Sequence, residues 1–246
     1  MARSQNLYFE YKGRPIAVKV YFEKRTTIRF SIGREKAIIR MPNVLPATEQ
    51  KKQYERFKKW VSDQLDKDVQ LQQRFLGKTY QSGDTITVLN KTYTIQIKKT
   101  NRKTHTAQLI DKNTIQIALS QYDNSPFSQK PIRQLLSRII GADCLSIIEK
   151  KVDYFNDLYF QETINGIRMK LNQSNWGSCS SNRNLNFSTR LLFAPDEVID
   201  YVIVHELAHL KEMNHSTKFW KIVKNVMPDY QKHEHWLKEN GHLCNF

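Results

Sequence analysis

The segment His205-Glu206-Leu207-Ala208-His209 carries two imidazoles four residues apart with a carboxylate beside the first. On a helix this spacing stacks both rings on one face, where two ring nitrogens can reach a single zinc ion. Zinc lowers the pKa of a bound water toward neutrality, and a neighbouring carboxylate can take the water's proton and return it to a leaving group. A catalytic zinc needs a third protein ligand and an open position. His215 follows His209 by six residues and supplies that ligand. The residue types and spacing therefore predict a Zn2+-dependent hydrolase, with His205, His209 and His215 as metal ligands and Glu206 as general base.

Five-residue matches to this pattern also arise by chance on ordinary helices, so the surrounding elements matter. Ala194-Pro195-Asp196-Glu197 opens a helix, because proline suits the first turn and the two carboxylates face the positive end of the helix dipole. The helix is expected to run to about Glu212, with Val198, Val202, His205 and His209 on its buried face. The metzincin pattern has a turn-making glycine three residues beyond the second histidine, and here that position is Glu212. Asn214 is expected to make the turn instead in a left-handed conformation, with Ser216 capping the next helix and Phe219 and Trp220 pinning it to the core. Glu212 reads as an exposed helix-end carboxylate, with support of an imidazole ligand as the alternative. His233 and His235 fall on different sides of a Lys-rich C-terminal helix and read as solvated, while His105 and His242 have no motif around them. Cys179 lacks a histidine partner of its own and reads as a packed residue.

The remaining elements predict an α+β fold. Residues 14 to 40 alternate in short runs (Ile16, Val18, Val20, Phe22; Ile28, Phe30, Ile32) and read as a meander of strands. Tyr54, Phe57, Val61, Leu65 and Val69 mark one amphipathic helix from Thr48 to about Phe75. A second β-rich stretch covers about 78 to 119, with turns at Gln81–Asp84 and Asn90-Lys91. Asn124, Ser125, Pro126 and Pro131 make residues 121 to 131 the expected linker. The expected division is a basic β-rich region with one amphipathic helix over 1–125 and a metal-binding domain over 126–246. Beyond the linker a long core helix spans Ile132 to about Tyr159, followed by strands within 164–171 and 176–193. No internal repeat is evident.

Composition narrows the function classes. No stretch approaches the roughly 20 apolar residues of a membrane-spanning helix, and the N-terminus lacks a basic segment followed by an apolar run. Three widely spaced cysteines, Cys144, Cys179 and Cys244, form neither a disulfide framework nor a CxxC knuckle, so a reducing cytoplasm is expected. Of the formal charge of +15, residues 1–103 hold 23 Lys and Arg against 9 Asp and Glu, and the remainder 16 against 15. Such a basic half attracts polyanions, nucleic acid or nucleotides, by long-range electrostatics, although a solvated basic face has the same composition.

Trp176-Gly177-Ser178-Cys179-Ser180, Leu191 to Pro195, Val198-Ile199-Asp200-Tyr201-Val202, the His205–His209 segment, Asn214-His215-Ser216 and Phe219-Trp220 occur in order. In this the sequence resembles YgjP-like metallopeptidase domains, related to the SprT-like zincins, most strongly over about 160–242. The resemblance implies a minimal zincin fold, an active-site helix with a β-hairpin or sheet, with His205, His209 and His215 as zinc ligands and Glu206 as the catalytic glutamate. It also implies that an extended peptide adds to the strand around Leu185 to Leu191. One departure is Asn175, preceded by Ser174, where the family often has a basic residue before the Trp-Gly-Ser-Cys segment.

The expected activity is peptide-bond hydrolysis on a peptide or protein substrate. Two alternatives use the same residues: hydrolysis of a nucleotide phosphoanhydride, which the basic half would favour, and a nucleic-acid-associated protein whose zinc is structural. The absence of a Gly-rich phosphate loop lowers the former, and a glutamate beside an open metal position argues against the latter.

Overall fold

The computed structural model describes residues 3–33, 36–123, 125 and 129–246, and the chain folds into two compact units. The first runs to Lys78 and the second from Thr79 onward, with Ser125 counted in the first.

The first unit opens with strands β1 (Arg3–Tyr11), β2 (Arg14–Glu23), β3 (Arg29–Ile32) and β4 (Ala37–Pro42), followed by helices α1 (Ala47–Lys67) and α2 (Val69–Leu76). The strands are not a simple meander. Their order is β1-β2-β4-β3, with β2 and β4 parallel and the other pairs antiparallel. Alternation places Ile16, Val18, Val20 and Phe22 on one face, where they pack with Ile39, Met41 and the α1 stripe Phe57, Val61, Leu65. The single helix expected over 48–75 is broken at Asp68. That residue adopts an extended conformation, and its carboxylate accepts from Leu71 N–H at 2.8 Å, ending one helix and capping the next.

The second unit repeats the plan. Strands β5 (Thr85–Val88), β6 (Lys91–Thr100), β7 (Thr106–Leu109) and β8 (Thr114–Ser120) have the order β5-β6-β8-β7, again with the second and fourth parallel. Both opening hairpins turn through two residues with positive φ, Lys12 (48°) and Gly13 (72°) in the first and Leu89 (46°) and Asn90 (61°) in the second. That is the turn whose twist matches paired strands. Each sheet is followed by a long helix, α1 in the first unit and α3 (Gln129–Phe155) in the second. The chain thus holds an internal ββββα repeat that leaves no trace in residue identity.

The repeat moves the expected boundary at 125/126. Tyr93, Ile95, Ile115 and Ile117 of the second sheet share one core with Leu136, Ile140, Cys144 and Ile148 of α3, so residues 79–124 fold with the C-terminal part of the chain. Of the Asn- and Pro-rich segment 121–131, residues 121–123 and 129–131 belong to the second unit and Ser125 is counted in the first; its Asn124 and Pro126 lie outside the described residues.

After α3 and a π-helical turn at Asn156–Phe160 come β9 (Gly166–Lys170), β10 (Gly177–Cys179) and β11 (Asn184–Ser188), a 3-10 turn (Thr189–Phe193), and helices α4 (Asp196–Ala208), α5 (Thr217–Val226) and α6 (Tyr230–Asn240). β11 lies between β10, antiparallel, and β9, parallel. Lys151 of α3 holds Asp196 (2.8 Å) and Asp200 (2.7 Å) of α4. Among the described residues no helix is long and apolar enough to cross a membrane.

Candidate metal centre

Helix α4 starts behind Pro195, with Asp196 and Glu197 in its first turn, and it is buried along Val198, Ile199, Tyr201, Val202 and Ile203. It stops at Ala208, a turn before the expected end at Glu212. Its last carbonyls are met by short-range bonds, Leu210 N to Leu207 O (3.0 Å) and Lys211 N to Ala208 O (3.1 Å). Asn214 is not among the residues of positive φ, so the tightened helix end makes the turn that was expected from a left-handed asparagine. Ser216 caps α5 as expected, its hydroxyl accepting from Phe219 N–H at 3.3 Å.

This path brings His205, His209 and His215 together, with one ligand nitrogen of each lying within 4.8 Å of the others. The Nε2 atoms of His205 and His215 are 3.0 Å apart. Two nitrogens on one tetrahedral zinc would be separated by about 3.3 Å, so these two need little adjustment to share an ion. Either a proton or a cation must lie between two lone pairs at that distance. Burial, with the neighbouring imidazoles adding to it, pushes the His205 pKa down to about 3, so the ring stays neutral; a neutral tautomer's N–H can bridge this gap, and the ring keeps a lone pair to offer a cation. His209 is fixed by its Nδ1 facing the Glu212 carbonyl at 3.1 Å, which leaves Nε2 as the ligand atom. Glu212 therefore supports the site through its main chain, while its carboxylate faces Lys218 at 3.8 Å. Phe219, fully buried, lies with its ring centroid 4.5 Å from His209, 4.8 Å from His215 and 4.9 Å from His205, and it limits the rotation of all three.

Glu206 is 4% exposed, and its Oε2 is buried without a hydrogen-bond partner. Burial raises its pKa to about 8, against a main-chain N–H of Cys179 that favours the charged form. An unpaired buried carboxylate oxygen costs about 1–3 kcal/mol or more, so the position is retained at the expense of stability. Space for it comes from Gly177, where an added Cβ would lie 2.4 Å from Glu206 Oε1. Gly177 belongs to the Trp-Gly-Ser-Cys segment, but only the packed structure reveals what its missing side chain admits. Cys179 is half-buried, its thiol pKa pushed up to about 11 by burial and by the nearby Glu206, as suits a packed residue and not a nucleophile.

The imidazoles and Glu206 open on a cavity of about 680 Å³ whose other walls include Trp176, Tyr201 and, from α6, Glu234, Leu237 and Lys238. The α6 wall was missed. Its residues are three and four apart, the signal of a helix face, but nothing in their types points to a cleft. His233 is 7% exposed and stacks on Tyr201 with centroids 6.3 Å apart, so the solvated position expected for it is incorrect; Tyr201 in turn meets the His205 ring. His105 pairs with Asp123 at 2.8 Å, just before β7 and just after β8. The expected strand addition at Leu185 to Leu191 also fails. β11 has neighbours on both sides, and the residues after Ser188 form the 3-10 turn, whereas β10 is the edge strand beside Glu206.

Comparison with known proteins finds a UTP pyrophosphatase of Escherichia coli (strain K12), 27% identical over 84 residues that make up 34% of this chain and 50% of that protein. The chain thus spans half the length of the curated relative it matches. Similar solved structures are the metallopeptidase zymogens abylysin of Pyrococcus abyssi (TM-score 0.35, 22% identity, 37% of this chain and 93% of that one) and jannalysin of Methanocaldococcus jannaschii (TM-score 0.33, 25% identity, 37% and 94%). The model of the YgjP-like family, metallopeptidase domain, matches residues 26–240, and the chain belongs to that family.

Proposed function

We propose that the chain hydrolyses peptide bonds at a zinc ion held by His205, His209 and His215, with Glu206 as general base, in a minimal zincin-like arrangement of α4 and the β9–β11 sheet. The observation that carries this reading is the unpaired, buried Oε2 of Glu206 in the cavity that the three imidazoles line. A bound zinc would polarise the scissile carbonyl and lower the pKa of water at the site. A nearby cation favours the carboxylate form of Glu206 and so opposes the upward shift that burial imposes. Glu206 then takes a proton from the attacking water on Oε2 and returns it to the departing amine. Phe219 and the Glu212 carbonyl hold the imidazole rings in place, so little reorganisation is needed at the moment of reaction.

An extended peptide would add to the outer edge of β10. N-methylation of the substrate at alternate amides should then raise KM several-fold with kcat little changed; an unmoved KM would remove strand addition. Glu206→Gln keeps the shape and the imidazoles. It should retain zinc by elemental analysis and lower peptide turnover by at least about 100-fold, the scale of a positioned acid–base group; turnover at the wild-type rate would refute the assignment.

A second reading, hydrolysis of a nucleoside triphosphate at the same ion, is favoured by the UTP pyrophosphatase relative and by Lys238, a cation in the cavity wall. Incubating the zinc-loaded protein separately with a peptide library and with nucleoside triphosphates distinguishes the two.

A further inference from the structure

The first sheet covers its core with one face and leaves the other without a helix of its own unit. Register assigns that second face. Ser4, Tyr21, Arg40 and Arg29 form one row across β1-β2-β4-β3, and Asn6, Lys19, Ile38 and Ser31 form the next. The alternate residues Val18, Val20, Ala37 and Ile39 are buried in the core, so these rows face away from it. Tyr21 is flanked by two cations, the Arg40 guanidinium 4.4 Å and the Lys19 ammonium 5.7 Å from its ring centroid. Tyr8, 54% exposed, stands on the same side of β1 two residues beyond Asn6. Glu23 takes up part of the charge by pairing with Arg25 and Arg40, which leaves Lys19 and Arg29 as the cations of the face outside that cluster.

The repeat supplies an internal control. Matching the hairpin turns and parallel registers of the two sheets puts Gln96, Lys98, Gln116, Ala118, Gln108 and Thr106 where the first sheet has Lys19, Tyr21, Ile38, Arg40, Ser31 and Arg29. The same scaffold thus needs neither the ring nor the arginines for folding. The first 78 residues hold 18 Lys and Arg against 8 Asp and Glu, most of the chain's excess, so the face lies in a unit whose field attracts polyanions.

From these observations we propose that the outer face of β1–β4 binds single-stranded nucleic acid, its bases stacking on Tyr21 and Tyr8 and its phosphates meeting Lys19 and Arg29. A sheet face with one ring between cations and another beside it suits unpaired bases, which offer a π-face for stacking, better than a duplex, whose bases are already stacked. This is a second function for the chain, independent of the metal centre, and it requires no zinc.

The test uses the full chain and fluorescein-labelled 20-nucleotide oligouridylate and oligothymidylate, with binding read by anisotropy between 50 and 200 mM salt. Both strands should bind, since stacking on the rings and contacts to phosphate are common to RNA and DNA. Tyr21→Ala should weaken binding by roughly tenfold, the scale of one lost stacking contact. The double variant Lys19→Glu, Arg29→Glu should weaken it further and flatten the salt slope by about 1.4, the loss of two phosphate contacts on a single strand. The charge-matched variant Lys98→Glu, Lys99→Glu on the second sheet should change affinity much less, and circular dichroism of every variant checks folding. Equal losses from the two double variants would overturn the proposal, since only net charge would then matter. So would a folded Tyr21→Ala variant that binds like wild type, binding to anionic vesicles but not to either strand, or no binding at 50 mM salt.

Discussion

Helix α1 of the first unit and α3 of the second follow sheets of the same strand order, yet they carry different loads. Aligning their buried stripes sets Phe57, Val61 and Leu65 of α1 against Leu136, Ile140 and Cys144 of α3. On the adjoining face the two diverge. Lys58 and Ser62 of α1 are half-exposed, whereas their counterparts Ser137 and Gly141 are buried. Ser137 shares a hydrogen bond of 2.7 Å with Thr189, and a Cβ on Gly141 would come within 2.6 Å of the Thr189 methyl. The first helix closes a two-layer unit. The second has a back face on which β9, the 3-10 turn and α4 are laid, and α4 holds His205 of the three-imidazole cluster. A small change of side-chain size along one helix stripe therefore separates a unit that ends from one that supports a further layer.

Metal binding should divide the two units most sharply. Zinc at about 100 times its dissociation constant should stabilise the folded second unit by about 2.7 kcal/mol, because the unfolded chain presents no assembled site. Amide hydrogen exchange should slow across α4 and α5 and stay unchanged across β1–β4. Equal slowing in both would show that the units unfold together, and no slowing in either would remove the metal centre.

The back face of α3 is the next point of strain. Gly141→Val drives two methyl groups toward Thr189 and should cost about 1–3 kcal/mol by overpacking, read from urea unfolding. Ser62→Val, the matched change on α1, should stay within about 0.5 kcal/mol. A tolerated Gly141→Val would mean that the 3-10 turn is not seated on the helix, and the distinction between the two helices would lose its basis.

Local chemistry explains what could be read in advance. His205, Glu206, His209 and His215 fall within eleven residues whose spacing is set by one helix and one turn, so their convergence follows from short-range geometry. The Ser216 cap and the alternation of Ile16, Val18 and Val20 are short-range in the same way. Features that depend on distant parts of the chain were hidden. The parallel pairing of β2 with β4 leaves no mark on alternation, Gly177 has meaning only once Glu206 is packed against it, and Glu234 and Lys238 line a cavity whose opposite wall lies some 60 residues earlier. The repeat escaped because the sheets conserve turn geometry and register while exchanging Lys19 and Tyr21 for Gln96 and Lys98. Its burial pattern, not its residue identity, is what recurs.

The smallest expected difference lies in how each unit ties its opening hairpin to its long helix. In the first, the Tyr11 hydroxyl (2.7 Å) and the Lys12 ammonium (2.6 Å) share the Asp66 carboxylate; in the second, Tyr93 and Lys91 share Asp143. Burial pushes the Asp143 carboxyl up, but the hydrogen bonds from Lys91 and Tyr93 outweigh it and hold the group below its ordinary value. A carboxyl depressed on folding stabilises the protein above its unfolded pKa, about 3.9, and that contribution fades as pH falls through the folded value. Asp143→Asn should therefore cost about 1 kcal/mol at pH 6 and progressively less below about pH 4, as measured by urea unfolding across that range. Asp66 is likewise held low, by Lys12 and Tyr11, but with 49% of its side chain exposed. Tyr11 also accepts a hydrogen bond from Gln72 at 2.8 Å, whereas the second contact of the Tyr93 hydroxyl among the described residues is the Cys144 thiol, at 3.5 Å. Asp66→Asn should accordingly show the same sign of pH dependence with a smaller amplitude. If the two variants lose equal stability, the lower exposure of the Asp143 carboxylate is not what makes the second tie matter, and the hairpins would be equivalent in energy as well as in shape.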